Sequence, residues 1–180
     1  MVKKIYLVRH CQAKGQSPNA SLTPLGFEQS KELSGFLLQK EVDMIISSPY
    51  LRAVDSIKPF AEKVNVQIKE DKRLSERVLS SVNHPDWLQM LKESFTDLDL
   101  RYEGGESSDE AMSRAIKVIT DVINSPFKTT VLVTHGNLMA LILKYFDSSF
   151  GFEEWRALSN PDVYCLTFTG EEAELERVWK

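Results

Sequence analysis

The 180-residue chain is poor in the residues that small disulfide- or metal-stapled domains rely on, with only two cysteines and three histidines. Cys11 and Cys165 cannot form a disulfide scaffold, and with His10, His84 and His135 they show no zinc-ligand spacing. Neither a structural metal nor a cofactor is expected. Excess positive charge is missing too: 22 Lys and Arg against 26 Asp and Glu leave a net charge of −4. That excludes the electrostatic footprint of a general DNA, RNA or anionic-membrane binder, so an anionic ligand has to be met by local groups. Long hydrophobic runs are lacking as well. The apolar stretch near the N-terminus, Ile5 to Val8, is too short for a signal-peptide core or a membrane span. The expectation is a cytosolic protein without repeats, low-complexity tracts or linkers. What is present, 42% apolar and 27% charged residues, suits one globular domain over 1–180 that buries a full core.

Strand and helix patterns alternate along the chain. Lys3 to Val8 reads as a short buried strand because Ile5, Tyr6, Leu7 and Val8 form a β-favouring run between charged ends. Thr23 before Pro24 gives an N-cap and first-turn signal for a helix continued by Leu33, Phe36 and Leu37. Asp43 to Ser47 is a second buried strand. Tyr50 to Val64 reads as helical, with Pro59 expected to kink or break it, and Val66 to Lys69 is a weaker third strand. From Asp71 to Gly105 the pattern loosens into a cap or lid with one short helix at Pro85 to Phe95. Ser107 or Ser108 then opens a helix running to Asn124, with Met112, Ala115, Ile116, Ile119, Val122 and Ile123 on one face. Thr129 to Thr134 is a buried strand leading through His135-Gly136-Asn137 into the helix Leu138 to Phe146. Two late strands, Val163 to Phe168 and Leu175 to Trp179, flank a turn at Gly170. The order predicts an α/β fold: a three-layer α/β/α sandwich with a mostly parallel central sheet and an antiparallel C-terminal edge.

His10 and His135 both follow buried strands, and the carboxyl ends of strands are where open α/β sheets bind ligands. Arg9 precedes the first. Gly136 opens a helix after the second, where free backbone N–H groups and the helix dipole favour an anion. Arg52, just after the second strand, adds a further cation.

These residues sit in a recognisable series. Leu7-Val8-Arg9-His10 resembles the signature of the histidine phosphatase, or phosphoglycerate mutase-like, superfamily, and the small phosphatase branch in particular. Leu22-Thr23-Pro24-Leu25-Gly26 is similar to the family's segment opening the first helix, and Ser47-Ser48-Pro49-Tyr50-Leu51-Arg52-Ala53 to its second arginine motif. Leu74-Ser75-Glu76-Arg77 resembles the segment carrying its acid. Gly105-Glu106-Ser107 with Arg114, and Val133-Thr134-His135-Gly136, complete the series in family order over nearly the whole chain.

The resemblance implies metal-independent hydrolysis of a small phosphate monoester through a phosphohistidine. His10 would be the nucleophile, attacking through one neutral ring nitrogen while the other donates a hydrogen bond that fixes the tautomer. Arg9, Arg52 and His135 would hold the equatorial phosphate oxygens as preorganised cations. Glu76 would protonate the departing alkoxide and later activate water, with Glu106 and Asp71 as alternative acids. Gln12, among the polar residues after the nucleophile, and Gly136 would contact phosphate.

Other residues carry secondary expectations. Glu106 is read as a helix-capping residue, and Arg114 as facing the sheet or pairing with a carboxylate. His84 is an exposed cap histidine within possible reach of substrate, and Trp87, Leu88 and Leu91 pack the cap helix onto the domain. Cys11 stands where the family usually has glycine. Its thiol is either activated by Arg9 and Arg52 at the mouth of the pocket or packed inertly beside the strand end. Two other readings compete with the phosphatase. A mutase needs additional cations between Glu76 and His135, where Arg77, Lys92 and Arg101 are dispersed and outweighed by acidic residues. A catalytically silent member of the fold would bind a phosphorylated ligand or a protein partner.

Overall fold

The computed structural model describes residues 2–170 and 172–179. Met1, Glu171 and Lys180, which belong to the expected unit 1–180, lie outside the described residues. One six-stranded sheet organises the chain in the order β3-β2-β4-β1-β5-β6. Its strands are β1 (Val2–Arg9), β2 (Met44–Ser47), β3 (Ile68–Glu70), β4 (Thr129–Thr134), β5 (Asp162–Thr169) and β6 (Glu172–Arg177). β1, β2, β3 and β4 pair in parallel, while β5 and β6 add antiparallel strands beyond β1. This is the α/β sandwich expected from the sequence.

Strand alternation divides the core in two. Ile5 and Leu7 of β1 and Leu132 of β4 face α4 (Ser108–Asn124) and α5 (Gly136–Phe146). Tyr6, Val8, Val131 and Val133 face α1 (Pro24–Leu37) and α2 (Leu51–Val64). Residues one apart in a strand point to opposite faces, so a continuous apolar run is what a sheet covered on both sides requires.

Helix signals are realised with three differences. Thr23 caps α1, its hydroxyl accepting from the Gly26 N–H at 3.0 Å. Pro59 does not break α2. The helix runs continuously to Val64 because Ile57, Phe60 and Ala61 are buried against the sheet on both sides of the proline, and that packing outweighs one lost hydrogen bond. Glu106 is not the cap of α4: Ser107 and Glu110 form a reciprocal capping box there. A short helix α6 (Phe152–Arg156) has no counterpart in the sequence reading, since five residues offer too little periodicity. Among the described residues no helix is long and apolar enough to cross a membrane.

The segment expected as a cap contains a single 3₁₀ turn at Lys72–Leu74 and α3 (Trp87–Thr96). Met90, Leu91, Ser94 and Phe95 bury one face of α3. Trp87 and Leu88 remain 51% and 42% exposed, so of the three residues expected to pack the cap helix only Leu91 does so.

Candidate active site

Sheet pairing assembles the site. β1 and β4 are neighbours in register, with Arg9 opposite Thr134, and the His10 N–H continues the ladder to the Thr134 carbonyl at 3.1 Å. The Ser48 N–H donates likewise to the Val133 carbonyl at 2.9 Å. His10, Ser48 and His135 are therefore the first residues past the ends of three adjacent parallel strands, although 125 positions separate the two histidines in sequence. Their ring centroids lie 5.1 Å apart, edge to face.

His10 is 8% exposed. Its Nδ1 lies 2.7 Å from the Cys11 carbonyl, an acceptor, so Nδ1 carries the hydrogen and Nε2 keeps its lone pair. Arg52 Nε donates to that Nε2 at 3.2 Å. Burial, with the nearby Arg52 and Arg9 charges, pushes the imidazole down to about 3, against the Cys11 bond, and the ring is neutral near pH 7. The Asn160 side chain donates to the His10 carbonyl at 2.8 Å, fixing the backbone from the other side.

His135 is fully buried. Its Nε2 is 2.7 Å from Ser48 Oγ, and the Tyr50 ring packs against it at 4.9 Å. Burial, reinforced by His10 and the surrounding arginines, pushes it down to about 2. The expectation of a cationic His135 is therefore corrected: without an anion beside it, it is a neutral hydrogen-bonding group.

Both arginines are preorganised by backbone carbonyls. Arg9 Nη1 donates to the Leu158 carbonyl at 3.0 Å, and Arg52 Nη1 donates to the Ser17 carbonyl at 2.9 Å. The Arg52 guanidinium also sits over the Tyr50 ring at 5.1 Å. Gly136 has a steric reason to be glycine, since a Cβ there would lie 3.0 Å from the Arg9 guanidinium.

Glu76 takes the anion position at the start of α5. Its Oε2 accepts from the Asn137 N–H at 3.0 Å, and its Oε1 from the Leu138 and Arg77 N–H groups, each at 2.8 Å. Two of the backbone donors at the start of α5, those of Asn137 and Leu138, are thus bonded to this carboxylate. A charged acceptor at a helix N-terminus also gains from the helix dipole. Behind it, Arg114 Nη1 donates to the Arg73 carbonyl at 2.6 Å and Nε to Glu106 Oε1 at 2.8 Å. Glu106 is thereby committed to Arg114, as Asp71 is to Arg73 at 2.7 Å, and neither lines the cleft above these groups.

Above these groups lies a cleft of two lobes, about 400 Å³ each, which share Gln16, Glu76, Arg77, Leu79, Asn83 and Trp87. Arg52, Tyr50 and His84 line the first lobe; Arg9, Gly136, Asn137 and Trp155 line the second. Gln12 does not line either lobe. Its Oε1 accepts from the Thr23 hydroxyl at 2.8 Å and its N–H donates to Gln29, whereas Gln16 lines both lobes. Of the two readings of Cys11, the structure fits inert packing. The residue has no exposed surface and packs among Val8, Leu22, Ala53 and Ile57, and burial pushes its thiol up to about 11. Its φ is not positive, so cysteine sits there without strain. Ser48, Tyr50, Arg77 and Asn160 were not singled out from sequence as site residues. Ser48, Tyr50 and Arg77 lay inside the quoted motifs, whereas Asn160 reaches His10 only through the folded β4-to-β5 loop region. Among the described residues, no group of three or more His, Cys, Asp or Glu converges as metal donors would.

This arrangement gathers a neutral imidazole, whose Nε2 lone pair accepts from Arg52, with guanidinium groups and a carboxyl that line the cleft, although neither His10 nor His135 lines either lobe. The profile of the histidine phosphatase superfamily (branch 1) matches residues 5–180. The chain belongs to that superfamily. It is a phosphatase enzyme by membership, and a relative from Hydrogenobacter thermophilus named "Putative phosphoserine phosphatase 2" is 29% identical, covering 97% of this chain and 94% of that protein. The native structure of a mycobacterial glucosyl-3-phosphoglycerate phosphatase aligns with a TM-score of 0.78 at 21% identity, covering 99% of this chain and 98% of that one. A mutant phosphoserine phosphatase from Entamoeba histolytica, in complex with phosphoserine, aligns with a TM-score of 0.78 at 18% identity, covering 96% and 94%. At these identities the two structures establish a shared fold.

Proposed function

We propose that the protein hydrolyses small phosphate monoesters through a phosphohistidine formed on Nε2 of His10, without a metal ion. The observation that carries this reading is the His10 tautomer: the Cys11 carbonyl holds Nδ1–H, so the nitrogen facing Arg52 is the nucleophilic one. Relatives named for phosphoserine and for glucosyl-3-phosphoglycerate support a small organic phosphate as substrate.

In the first step the Nε2 lone pair attacks phosphorus and the ester P–O bond breaks, with Glu76 giving its proton to the leaving oxygen. Glu76 Oε2 accepts only one backbone N–H, which leaves it a lone pair for that proton. In the second step a water attacks the phosphoryl group, Glu76 takes the water's proton, and the P–N bond breaks to return the lone pair to His10. Arg9, Arg52 and His135 hold the equatorial oxygens, and their charge and N–H groups stabilise the transition state without reorganising. The arriving dianion restores to His135 the affinity for a proton that burial removes.

Residues 71–105 act as the cap over a single domain, with Leu79, Asn83 and Trp87 meeting the leaving group. Cys11 and Cys165 are buried and unpaired, in keeping with a reducing, cytosolic setting. Release of p-nitrophenol from p-nitrophenyl phosphate in the presence of EDTA, lost in His10→Ala, tests the proposal. Absence of turnover over a panel of esters favours a silent binding member, and dependence on a divalent ion rejects the mechanism.

A further inference from the structure

Asp162 is a buried carboxylate that the mechanism above does not use. It opens β5 directly opposite Arg9 of β1, and Arg177 of β6 lies opposite Tyr164, two residues further along β5. Residues opposite one another, and residues two apart along a strand, share a face of the sheet. Arg9, Asp162 and Arg177 therefore lie on one face across three neighbouring strands, with the carboxylate between the two guanidinium groups.

The carboxylate is committed to the outer arginine. Asp162 has no exposed surface, whereas the Arg177 side chain reaches solvent. Arg177 Nε donates to Asp162 Oδ1 at 3.0 Å and Nη2 to Oδ2 at 2.6 Å, the bidentate geometry that binds a carboxylate most firmly. The Ser159 N–H donates to Oδ2 at 2.9 Å, and Arg177 Nη2 also donates to the Ala157 carbonyl at 3.3 Å. These bonds shape the turn 157–161, whose Leu158 and Ser159 carbonyls accept from Arg9 Nη1 at 3.0 and 3.4 Å. The polar partners of Arg9 among the described residues are those two carbonyls, and its Nε is buried with none.

Burial works against the charge of Arg9, while the charges of Glu76 and then Asp162 favour it. Both carboxylates are nonetheless held by other groups: Glu76 by the N–H groups of Asn137, Leu138 and Arg77, and Asp162 by Arg177. The Arg9 guanidinium is left on the wall of the second lobe.

We infer that Asp162 and Arg177 form a positioning pair for Arg9: Asp162 shapes the turn that holds the Arg9 guanidinium, and Arg177 keeps the Asp162 carboxylate from capturing it. Removing Arg177 leaves a buried carboxylate without its counter-charge. The cation remaining on that face is Arg9, one strand away, and pairing with Asp162 would draw it off the phosphate. Arg177 lines neither lobe, so a residue of the edge strand governs anion binding in a cleft it does not touch. The phosphate-binding role of Arg9 rests on the proposed function, and the test reads binding without turnover.

Binding of inorganic phosphate is measured by titration calorimetry. Arg177→Met should weaken it by about tenfold or more, as loss of a charge-assisted contact does, and Arg177→Lys, which keeps the charge, should weaken it less. Arg177→Met/Asp162→Asn should recover most of the affinity, because no carboxylate is left to compete for Arg9. A pair that merely ties β6 to the turn gives the opposite result, since the double variant has lost the same ties. Where Arg177→Met does not fold, Asp162→Asn decides. Its amide keeps an acceptor for the Ser159 N–H and removes a negative charge near Arg9, so phosphate should bind more tightly than in the wild type. Undiminished binding in folded Arg177→Met, or a loss that the double variant does not repair, overturns the inference. So does equal or weaker binding by Asp162→Asn where Arg177→Met does not fold. A wild type that binds no phosphate contradicts the proposed function itself, and the inference falls with it.

Discussion

Arg52 Nε–H and His10 Nε2 face each other at 3.2 Å, so the nitrogen proposed to attack phosphorus is occupied by a cation proposed to bind the phosphate. The two functions are compatible if phosphate oxygen replaces His10 as the acceptor for Arg52 when substrate arrives. Removing the arginine should then act in opposite directions on two observables. Arg52→Ala should lower kcat/KM by about 10²–10³-fold, the effect of losing a transition-state donor. Diethyl pyrocarbonate should modify His10 faster in the same variant, because Nε2 loses its cap and a repelling charge. Slower modification would show that Arg52 does not shield the ring.

The buried histidines also set a pH dependence of stability. Folding lowers His10 to about 3 and His135 to about 2 from an ordinary value of 6.5. Between those limits the unfolded chain binds more protons than the folded one, so stability is complete above pH 6.5 and is lost as pH falls. Each histidine contributes a slope of about 1.4 kcal/mol per pH unit. Denaturant midpoints of the wild type and His10→Asn from pH 7 to 4 check this. The variant should show the shallower decline, and parallel profiles would contradict the assignment.

Glu76 should reveal itself through the leaving group. Glu76→Gln should slow hydrolysis of an alkyl phosphate by about 10²–10⁴-fold, the range for a lost general acid, and that of p-nitrophenyl phosphate far less, because nitrophenolate departs without a proton. Equal losses with both esters would make Glu76 only a clamp on the start of α5, through Asn137 and Leu138.

Cys11 is expected to be inert. Iodoacetamide should label neither Cys11 nor Cys165 in the native protein and both after denaturation, with phosphate making no difference to the native result. Cys11→Gly removes a packed side chain and should cost about 1–3 kcal/mol of stability, seen as a lower Tm. Rapid native labelling of Cys11 that phosphate blocks would place the thiol in the pocket after all.

The sheet and its helices were legible because Ile5 to Val8 and Thr129 to Thr134 are continuous apolar runs, and because Thr23-Pro24 and Ser107 carry their own capping chemistry. The meeting of His10 with His135 was legible only through motif order, since the strand register that joins them is a tertiary fact. Arg77 shows the limit most clearly. Counted among the scattered charges of the cap it suggested nothing, and only burial, with its Nη2 unpaired, distinguishes it from Lys92 and Arg101. Cys11 shows the converse. Proximity in sequence to Arg9 suggested activation, but its side chain turns into the apolar layer between β1 and α2. Gln12 was chosen for its nearness to His10 in sequence, and only the folded Thr23 contact shows that it is turned away.

The central claim is the covalent step on His10. Rapid acid-free quenching of the wild type during turnover of a ³²P-labelled ester, followed by denaturing electrophoresis and peptide mapping, measures it directly. The account predicts acid-labile, alkali-stable label on the peptide containing His10, absent in His10→Ala and accumulating in Glu76→Gln when the leaving group is good. Turnover by the wild type without protein-bound label, using a method that detects phosphohistidine in a control protein, or equal labelling of His10→Ala, would contradict it.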